Sequence, residues 1–213
     1  HRTGLRITLP DMGQGEAIII STEEGSTILI DGGSLSRKNC GKYLLEPYLL
    51  YTGTDSIDYA IVTHPDKDHI SGLMELLSGH RIDIKNLVLP DVFSGTGLTT
   101  EASEKMGRKD YDELKKLAHK AGTRVLYIDE GDTITEGKLK LTCLFPAKGL
   151  HYASANACST VLSLTYGEFD MLLTGDITSQ GEDYILRRNL SSQKEGYDIL
   201  KVAHHGSKYS SKE

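Results

Sequence analysis

Four short apolar segments of this 213-residue chain each end in an aspartate or a histidine. The length and residue types of these segments predict β-strands. A fold that buries such strands places their ends along a rim, which is a common layout for enzyme sites. This pattern favours a strand-rich α/β fold, in which two packed sheets carry helices on the outside. The acids and histidines at the strand ends are Asp31, His64, Asp176 and His204.

The composition excludes several classes of protein. Hydrophobic residues make up 38% and charged residues 25% of the chain, as in globular proteins. Its 24 basic and 30 acidic residues give a net charge of −6, which argues against a strongly basic nucleic-acid coat. Three cysteines are too few for a disulfide scaffold or a cysteine-rich zinc module. Neither a membrane-spanning run nor a signal-peptide pattern is present, so we expect no membrane contact from this segment itself.

Hydrophobic periodicity and turn residues predict strands in both halves of the chain, with helices between them. A hairpin is predicted for residues 16–30, around the turn at 23–26. Further strands are predicted over 5–9, 58–62, 86–89, 124–128, 138–145, 160–166, 169–174 and 199–203. Helices are predicted over 41–51, from about His69 onward, and over Ser103 to Ala121 and Thr178 to Asn189.

The predicted helix from Ser103 to Ala121 is rich in charge. Its basic side chains could touch a phosphate backbone, but a solvated helix face is the favoured interpretation of such a run. These side chains are Lys105, Arg108, Lys109, Lys115 and Lys116.

The segment Thr63 to His69 is the most informative motif. Four side chains that can bind a metal fall within six residues, between a predicted strand and a predicted helix, namely His64, Asp66, Asp68 and His69. A strand-to-helix turn can point such side chains into one small volume, and mixed imidazole and carboxylate ligands suit first-row divalent metals. Each alone is also an ordinary turn or cap residue, and the four together favour a metal site.

Two later segments offer further ligands. A predicted strand ending in Gly175-Asp176 places a carboxylate at a sheet edge, where it could bridge two metals. His204 and His205 follow a predicted buried strand, and the sequence does not decide which of them is a ligand. Two metals about 3.5–4 Å apart would activate a bridging hydroxide for attack on a phosphodiester or a carbonyl group.

In this order along the chain, these motifs resemble the metallo-β-lactamase superfamily of metal hydrolases. The resemblance implies a metallo-β-lactamase-like four-layered αββα sandwich with a dinuclear site on the sheet rim. The usual first motif has a histidine where this chain has Asp66. That departure points to one branch, the hydrolase domain of ComEC-type DNA-uptake (competence) proteins.

Six segments carry the resemblance to the ComEC-type branch. It implies one hydrolase domain over residues 1–213, truncated at its C-terminus, acting as a nuclease or phosphodiesterase on single-stranded DNA during natural transformation. The segments are Leu9 to Ala17, Ile28 to Gly33, His64 to Leu73, Asn156 to Ser159, Leu173 to Asp176 and His204 to Ser207.

The resemblance also implies roles for individual residues. Asp68 would double as a proton acceptor, Asp31 would support the ligand loop, and an oxygen-rich ligand set favours manganese as well as zinc, with magnesium possible. The implied metal ligands are His64, Asp66, Asp68, His69, Asp176, His204 and His205, and the implied neighbours of metal or substrate are Asp11, Gln14, Asp31, Asn156, Ser159, Ser207 and Lys208. His151 breaks the family spacing and is interpreted as a surface residue.

Partners and location depend on the branch. A ComEC-type domain would lie at the extracellular face of a bacterial membrane protein and act beside the channel portion of the same protein. A free-standing copy could be cytoplasmic or secreted. Two other functions stay open: a free-standing phosphodiesterase or phosphorylcholine esterase acting on a small or cell-wall substrate, and a degenerate, non-enzymatic binding module.

Overall fold

The computed structural model of the chain describes residues 4–94, 99–188, 196–208 and 210. The polypeptide divides into two compact units, one formed by residues 1–89 and 107–126 and the other by residues 90–106 and 127–213. The described residues form a six-stranded sheet and a five-stranded sheet. Both sheets combine parallel and antiparallel pairs, which confirms the predicted α/β class with two mixed sheets.

The six-stranded sheet gathers the first six strands of the chain in sequence order. Its second and third strands form the predicted hairpin, in which Ala17 lies opposite Asp31. The third, fourth and fifth strands run parallel, so their carboxyl ends share one edge of the sheet. The strands are β1 (Arg6–Thr8), β2 (Ala17–Ser21), β3 (Thr27–Asp31), β4 (Ser56–Ile61), β5 (Asp83–Pro90) and β6 (Arg124–Ile128).

Two helical segments of the first unit follow strands of this sheet. The predicted helix over 41–51 is confirmed, although it opens with a π-helical turn (Gly41–Leu45) before α1 (Glu46–Tyr51). Pro47 lies near the start of α1, which directly follows the π-helical turn. The helix α2 (Lys67–Gly79) begins directly after the Thr63–Asp66 loop and buries one apolar face that includes Ile70 and Leu73.

The single helix predicted from Ser103 to Ala121 is wrong, because the chain forms two helices, α3 (Thr100–Lys105) and α4 (Arg108–Ala121). Gly107 separates them with a left-handed backbone, φ 72°. A β-carbon on this residue would lie 2.2 Å from Cγ of Pro65. Helical periodicity does not report such a close approach, which involves a residue far away in sequence.

The five-stranded sheet belongs to the second unit and has the order β11-β10-β9-β8-β7. The first strand of this group was not predicted, because its four residues contain one apolar side chain, Ile134. The predicted hairpin around Gly167-Glu168 joins β9 and β10. The strands are β7 (Thr133–Glu136), β8 (Leu139–Phe145), β9 (Val161–Tyr166), β10 (Phe169–Leu173) and β11 (Ile199–Lys201).

Two expectations for the end of the second unit need comment. The helix α5 (Ser179–Arg187) corresponds to the predicted helix, whose predicted end at Asn189 lies outside the described residues. The strand before the histidine pair was expected to be buried, and this is wrong, because Ile199 and Leu200 are 47% and 52% exposed. Within the described part of the chain β11 pairs with β10 alone, which leaves its side chains poorly covered there.

All three cysteines are reduced and buried. Burial raises the pKa of the Cys40 and Cys143 thiols, so both stay protonated at neutral pH and behave as small apolar side chains. Over the described residues, no helix combines the length and apolar character that crossing a bilayer requires.

Candidate metal centre

Asp31 organises the polar end of the first unit. It ends β3 in a left-handed conformation, φ 56°, and its side chain is fully buried. Its carboxylate accepts hydrogen bonds from the backbone N–H of Thr63 at 2.8 Å and from the Thr63 hydroxyl at 2.7 Å. The same carboxylate lies 2.9 Å from Nδ1 of His69. A carboxylate in this place holds the proton on Nδ1 and leaves Nε2 as the nitrogen that can bind a metal.

His64 and His69 lie against each other. Both residues are 0% exposed, and their ring centroids are 4.1 Å apart with the planes inclined by 53°. The hydroxyl of Thr63 lies 3.1 Å from Nδ1 of His64 and helps to fix that ring. The structure thus brings two of the predicted ligands into one small buried volume.

Two predicted carboxylate ligands flank this histidine pair along the chain. Asp66 is the N-cap residue of α2, is about half exposed, and places Oδ2 3.6 Å from Nε2 of His64. Asp68 lies in the first turn of α2 and is partly buried. Acidic side chains at a helix N-terminus are favoured by the helix dipole, so both positions suit a carboxylate without a metal as well.

Backbone contacts hold the first turn of α2 against two other segments. The carbonyl of Asp68 accepts from the N–H of Glu16 at 3.0 Å, and the carbonyl of His69 accepts from the N–H of Gly32 at 2.7 Å. A β-carbon on Gly33 would lie 2.6 Å from the carbonyl carbon of Asp68 and the nitrogen of His69. Only glycine therefore lets these backbones approach so closely.

Glu16 is a buried acid that the sequence analysis did not assign to the site. One ligand atom each of Glu16, Asp31 and His69 lie within 4.8 Å of one another. Glu16 is 7% exposed and immediately precedes the apolar strand β2. A carboxylate at the start of an otherwise apolar strand was the available signal, since burying an acid is costly unless something compensates for it.

Asp176 is the centre of the second unit's polar cluster. It follows β10, is buried, and its backbone N–H donates to Oγ of Ser159 at 2.9 Å. Nε2 of His205 lies 3.4 Å from its Oδ2, and Nε2 of His204 lies 3.9 Å from the same oxygen. The structure thus brings together four residues that were predicted to lie at the site.

The histidine pair occupies a strained turn. His204 and His205 both have left-handed backbones, with φ 49° and φ 51°. Each such residue that is not glycine costs about 1–2 kcal/mol, and backbone strain of this kind clusters at functional sites. The N–H of His204 donates to the carbonyl of Gly175 at 3.1 Å, which ties the turn to the segment that carries Asp176.

Lys201 is a second residue that the sequence analysis did not assign to the site. Its Nζ donates to the carbonyl of Gly175 at 2.9 Å and lies 3.7 Å from Oδ1 of Asp176. The hydroxyl of Thr174 donates to the Lys201 carbonyl at 2.6 Å. These contacts place a largely covered cation beside the Asp176 carboxylate. A lone lysine at the end of a strand gave no signal in the sequence.

Two predicted neighbours of the site lie in an exposed loop of the first unit. Asp11 forms an ion pair with Arg37, and its side chain is 78% exposed. The backbone N–H of Gln14 donates to Oγ of Ser36 at 2.8 Å. The partners of both residues, Arg37 and Ser36, lie in the segment that follows β3. The roles of Asp11 and Gln14 toward a metal or substrate stay predictions.

The remaining predicted residues lie in the second unit. Asn156 begins a short 3-10 turn, and its carbonyl accepts from the N–H of Ser159. The N–H of Ser207 donates to the carbonyl of His204 at 2.8 Å, and Lys208 is exposed. His151 is exposed, as predicted.

The donor chemistry of each cluster fits a divalent metal. The first cluster offers imidazole nitrogens whose orientation is fixed by hydrogen bonds, together with carboxylate oxygens, and the second offers a buried carboxylate beside two imidazoles. Such mixed nitrogen and oxygen donors suit zinc, manganese and iron. Which of these side chains bind a metal stays a prediction.

Comparison with known proteins places the chain in a family. The family model described as the metallo-beta-lactamase superfamily matches residues 10–213. The chain is 28% identical to ComE operon protein 3 of Bacillus subtilis, over 97% of this chain and 26% of that protein. It is 31% identical to Recombination protein 2 of Haemophilus influenzae, over 95% of this chain and 21% of that protein. These matches confirm the resemblance to the competence branch, and the chain spans about a quarter of either relative.

Solved structures share the fold at low sequence identity. CmlA, a diiron beta-hydroxylase from Streptomyces venezuelae, has a TM-score of 0.56 at 16% identity, covering 95% of this chain and 35% of CmlA. The metallo-beta-lactamase fold protein YhfI from Bacillus subtilis has a TM-score of 0.57 at 16% identity, covering 92% of this chain and 67% of YhfI. The predicted metallo-β-lactamase fold is thereby confirmed. The chain belongs to the metallo-beta-lactamase superfamily of metal hydrolases, as its motifs predicted.

Proposed function

We propose that this chain is a phosphodiesterase that hydrolyses single-stranded DNA with the help of two divalent metal ions. The observation that carries the proposal is the buried pair His64 and His69, with the His69 ring locked by the carboxylate of Asp31. Histidines that bind a metal almost always donate their other ring N–H to a carboxylate, a backbone carbonyl or a water in this way. The match to a protein named for recombination, a process of DNA, supports DNA as the substrate.

The proposed metal ligands come from both halves of the sequence. In the first unit they are His64, Asp66, Asp68 and His69. In the second unit they are Asp176 and one histidine of the 204–205 pair, of which His205 lies nearer to the carboxylate. When bound, the ions would supply Lewis-acid activation of water and stabilise negative charge on the phosphate.

The protein's own groups would orient donors and move a proton. Asp31 keeps Nδ1 of His69 protonated, so the ring presents Nε2. Asp68, in the first turn of α2, is the proposed proton acceptor for the attacking water. Lys201, whose Nζ lies 3.7 Å from Oδ1 of Asp176, would help to orient that carboxylate toward a metal.

We propose manganese or zinc as the working ion, with magnesium as a weaker alternative. The proposed set contains three carboxylates, from Asp66, Asp68 and Asp176, beside the imidazoles. Oxygen donors favour harder ions, whereas imidazole nitrogens favour zinc and its neighbours in the first row. The balance of donors therefore admits both ions.

Cleavage of labelled single-stranded DNA tests the proposal. Protein stripped with a chelator is resupplied with manganese, zinc or magnesium in turn. We expect cutting that depends on the metal and falls at least about a hundredfold in Asp68→Ala, the loss typical of a general acid–base residue. Asp183→Ala is the matched control, because Asp183 is an exposed carboxylate on α5 outside both clusters. Undiminished cutting by Asp68→Ala would refute the assignment.

His69→Ala is a second test of the same site. His69 is fully buried and bonded to Asp31, so circular dichroism must first show that the variant is folded. A folded variant is expected to be inactive. Hydrolysis of bis-p-nitrophenyl phosphate without any DNA cleavage would instead favour a phosphodiesterase for small substrates, and metal binding without turnover would favour a binding module.

We also propose that this domain works at the cell surface beside a membrane channel portion of the same protein. The support is its likeness to about a quarter of ComE operon protein 3 and Recombination protein 2. An epitope tag in this domain should be digested when protease is added to intact cells. A tag that stays protected until the cells are lysed would contradict this location.

A further inference from the structure

The charges of α4 are sorted along the helix. The acids lie in its N-terminal half, and two lysines neutralise them. Nζ of Lys67 lies 2.8 Å from Oδ1 of Asp110 and 3.9 Å from Oε2 of Glu113. Nζ of Lys115 lies 2.5 Å from Oδ1 of Asp112. Each of the three acids of this helix therefore has a lysine as its ion-pair partner.

The chain from Leu114 to Ile128 contains no acidic residue. The same stretch contains Lys115, Lys116, Lys120 and Arg124, which gives a local charge of +4 in a chain whose net charge is −6. Lysines at the end of a helix complement its dipole, which explains one or two cations in the last turn. It does not explain the absence of acids from fifteen consecutive residues.

Three of these side chains share one surface. Lys116, His119 and Lys120 line a surface depression together with Lys115 and Asp112. The buried face of α4 is formed by other residues, Tyr111, Leu114 and Ala118. Positions 116, 119 and 120 are neighbours on a helix surface, within about 6 Å along its axis.

The remaining cations of the stretch from Leu114 to Ile128 are not taken up by local ion pairs. Across residues 4–94, 99–188 and 196–208, no carboxylate lies within ion-pair distance of Lys116, Lys120 or Arg124. All three side chains are exposed. Arg124 begins β6, two residues after Gly122, the C-cap of α4. We call Lys116, His119, Lys120 and Arg124 the basic ridge.

We propose that the basic ridge binds the phosphate backbone of the single-stranded DNA substrate, an inference that rests on the proposed function. A row of unpaired cations matches a repeating anion, and release of counterions from the strand drives such binding. Charge complementarity therefore favours a polyanion over other partners of this surface. A merely solvated helix face would carry acids among its lysines, as the N-terminal half of α4 does.

The test compares two triple variants of equal charge. The ridge variant is Lys116→Gln, Lys120→Gln and Arg124→Gln. The control variant is Arg6→Gln, Lys42→Gln and Lys140→Gln, three exposed cations outside the ridge. Each variant moves the net charge from −6 to −9. The probe is a fluorescent thymidine 20-mer, and its binding to chelator-stripped protein is followed by anisotropy from 20 to 200 mM salt.

The expected result is a Kd at least about tenfold higher for the ridge variant than for the control variant at 100 mM salt. The slope of log Kd against log salt should also fall by about 2, since each phosphate contact on a single strand contributes about 0.7. The proposal that the basic ridge binds DNA would be refuted if the two variants had equal affinity. It would also be refuted if the natural chain did not bind the 20-mer at 20 mM salt.

The ridge and the proposed function can fail separately. Hydrolysis of bis-p-nitrophenyl phosphate, which is too small to reach a surface ridge and the site together, should be unchanged in the ridge variant. If the natural chain binds the 20-mer through the ridge but cleaves no DNA with any metal, DNA binding by the ridge is supported and the nuclease proposal is refuted. If the natural chain cleaves DNA and the ridge variant binds as the control does, the nuclease proposal is supported and DNA binding by the ridge is refuted.

Discussion

The two polar clusters of this protein are built in different ways. In the first unit, Asp31, His64 and His69 are fully buried. Asp31 is hydrogen-bonded directly to His69, and the Thr63 hydroxyl links it to His64. In the second unit Asp176 is buried, but the side chains of His204 and His205 are 35% and 37% exposed on a strained turn. The first cluster is part of a core, whereas the histidines of the second lie at its surface.

Because of this difference, we expect the first cluster to contribute to folding and the histidines of the second to contribute to metal binding. A buried carboxylate that satisfies several donors contributes to the folded state before any metal arrives. Exposed imidazoles on a turn contribute little to the stability of the metal-free protein. They stabilise the folded state when a ligand binds to them. Substitutions in the first cluster should therefore lower stability itself, and those at the histidines of the second should lower the stabilisation that a metal provides.

Removing the carboxylate of Asp31 should have the largest effect on stability. We expect Asp31→Ala to lower the free energy of unfolding by about 3–5 kcal/mol, because Thr63 and His69 lose a charged partner inside the core. Urea denaturation followed by circular dichroism measures this loss. Asp11→Ala, which removes an exposed acid paired with Arg37, should cost less than about 1 kcal/mol. Equal losses of stability in the two variants would contradict the conclusion that the buried first cluster contributes to folding.

The histidines of the second cluster should act through the metal. At a concentration of manganese or zinc 100 times its Kd, the natural chain should gain about 2.7 kcal/mol of stability. His205→Ala should lose most of this gain, since its Nε2 lies nearest to the Asp176 carboxylate, and His204→Ala should lose less. Without metal, both variants should stay within about 0.5 kcal/mol of the natural chain. Unfolding curves with and without metal provide the measurement, and a larger loss in His204→Ala would reverse the assignment.

A methyl group at Gly107 probes how tightly the first cluster's loop is held. Gly107 and Gly122 both have left-handed backbones, but only a β-carbon at Gly107 meets a neighbour, the ring of Pro65. Gly107→Ala should therefore cost about 2 kcal/mol more than Gly122→Ala, the usual range for an overpacked site. Thermal unfolding of the two variants isolates this steric contribution. Similar melting temperatures would show that the loop containing Pro65 can move away from a β-carbon at little cost in stability.

The smallest effect is expected at the strand before the histidine pair. Leu200 on β11 is about half exposed, so Leu200→Ala should change stability by less than about 0.5 kcal/mol. The same substitution at Leu29, which is fully buried on β3, should cost about 2–5 kcal/mol. A cost of several kcal/mol at Leu200 in urea denaturation would show that this strand is covered in solution and that the second cluster is more like the first.

Local patterns predicted most of the secondary structure correctly. Alternation around the turn at 23–26 predicted the β2–β3 hairpin, and helical spacing predicted α2 and α5. Strand β7 was missed because it carries one apolar side chain, whereas two other failures share a different cause. The break at Gly107 and the exposure of β11 depend on contacts, or missing contacts, with residues distant in sequence, and no window of the sequence contains them.

The sequence by itself determined the chemistry available to this protein. Aspartates and histidines at the ends of apolar strands, in a fixed order, supplied side chains that can bind a metal and predicted the superfamily. The tertiary structure alone decided which donors are buried and which groups hold them. It placed Glu16 beside Asp31 and His69, and Lys201 beside Asp176. The physical reason is that residue type fixes what a side chain can bind, whereas burial and hydrogen-bond partners arise only when distant segments meet.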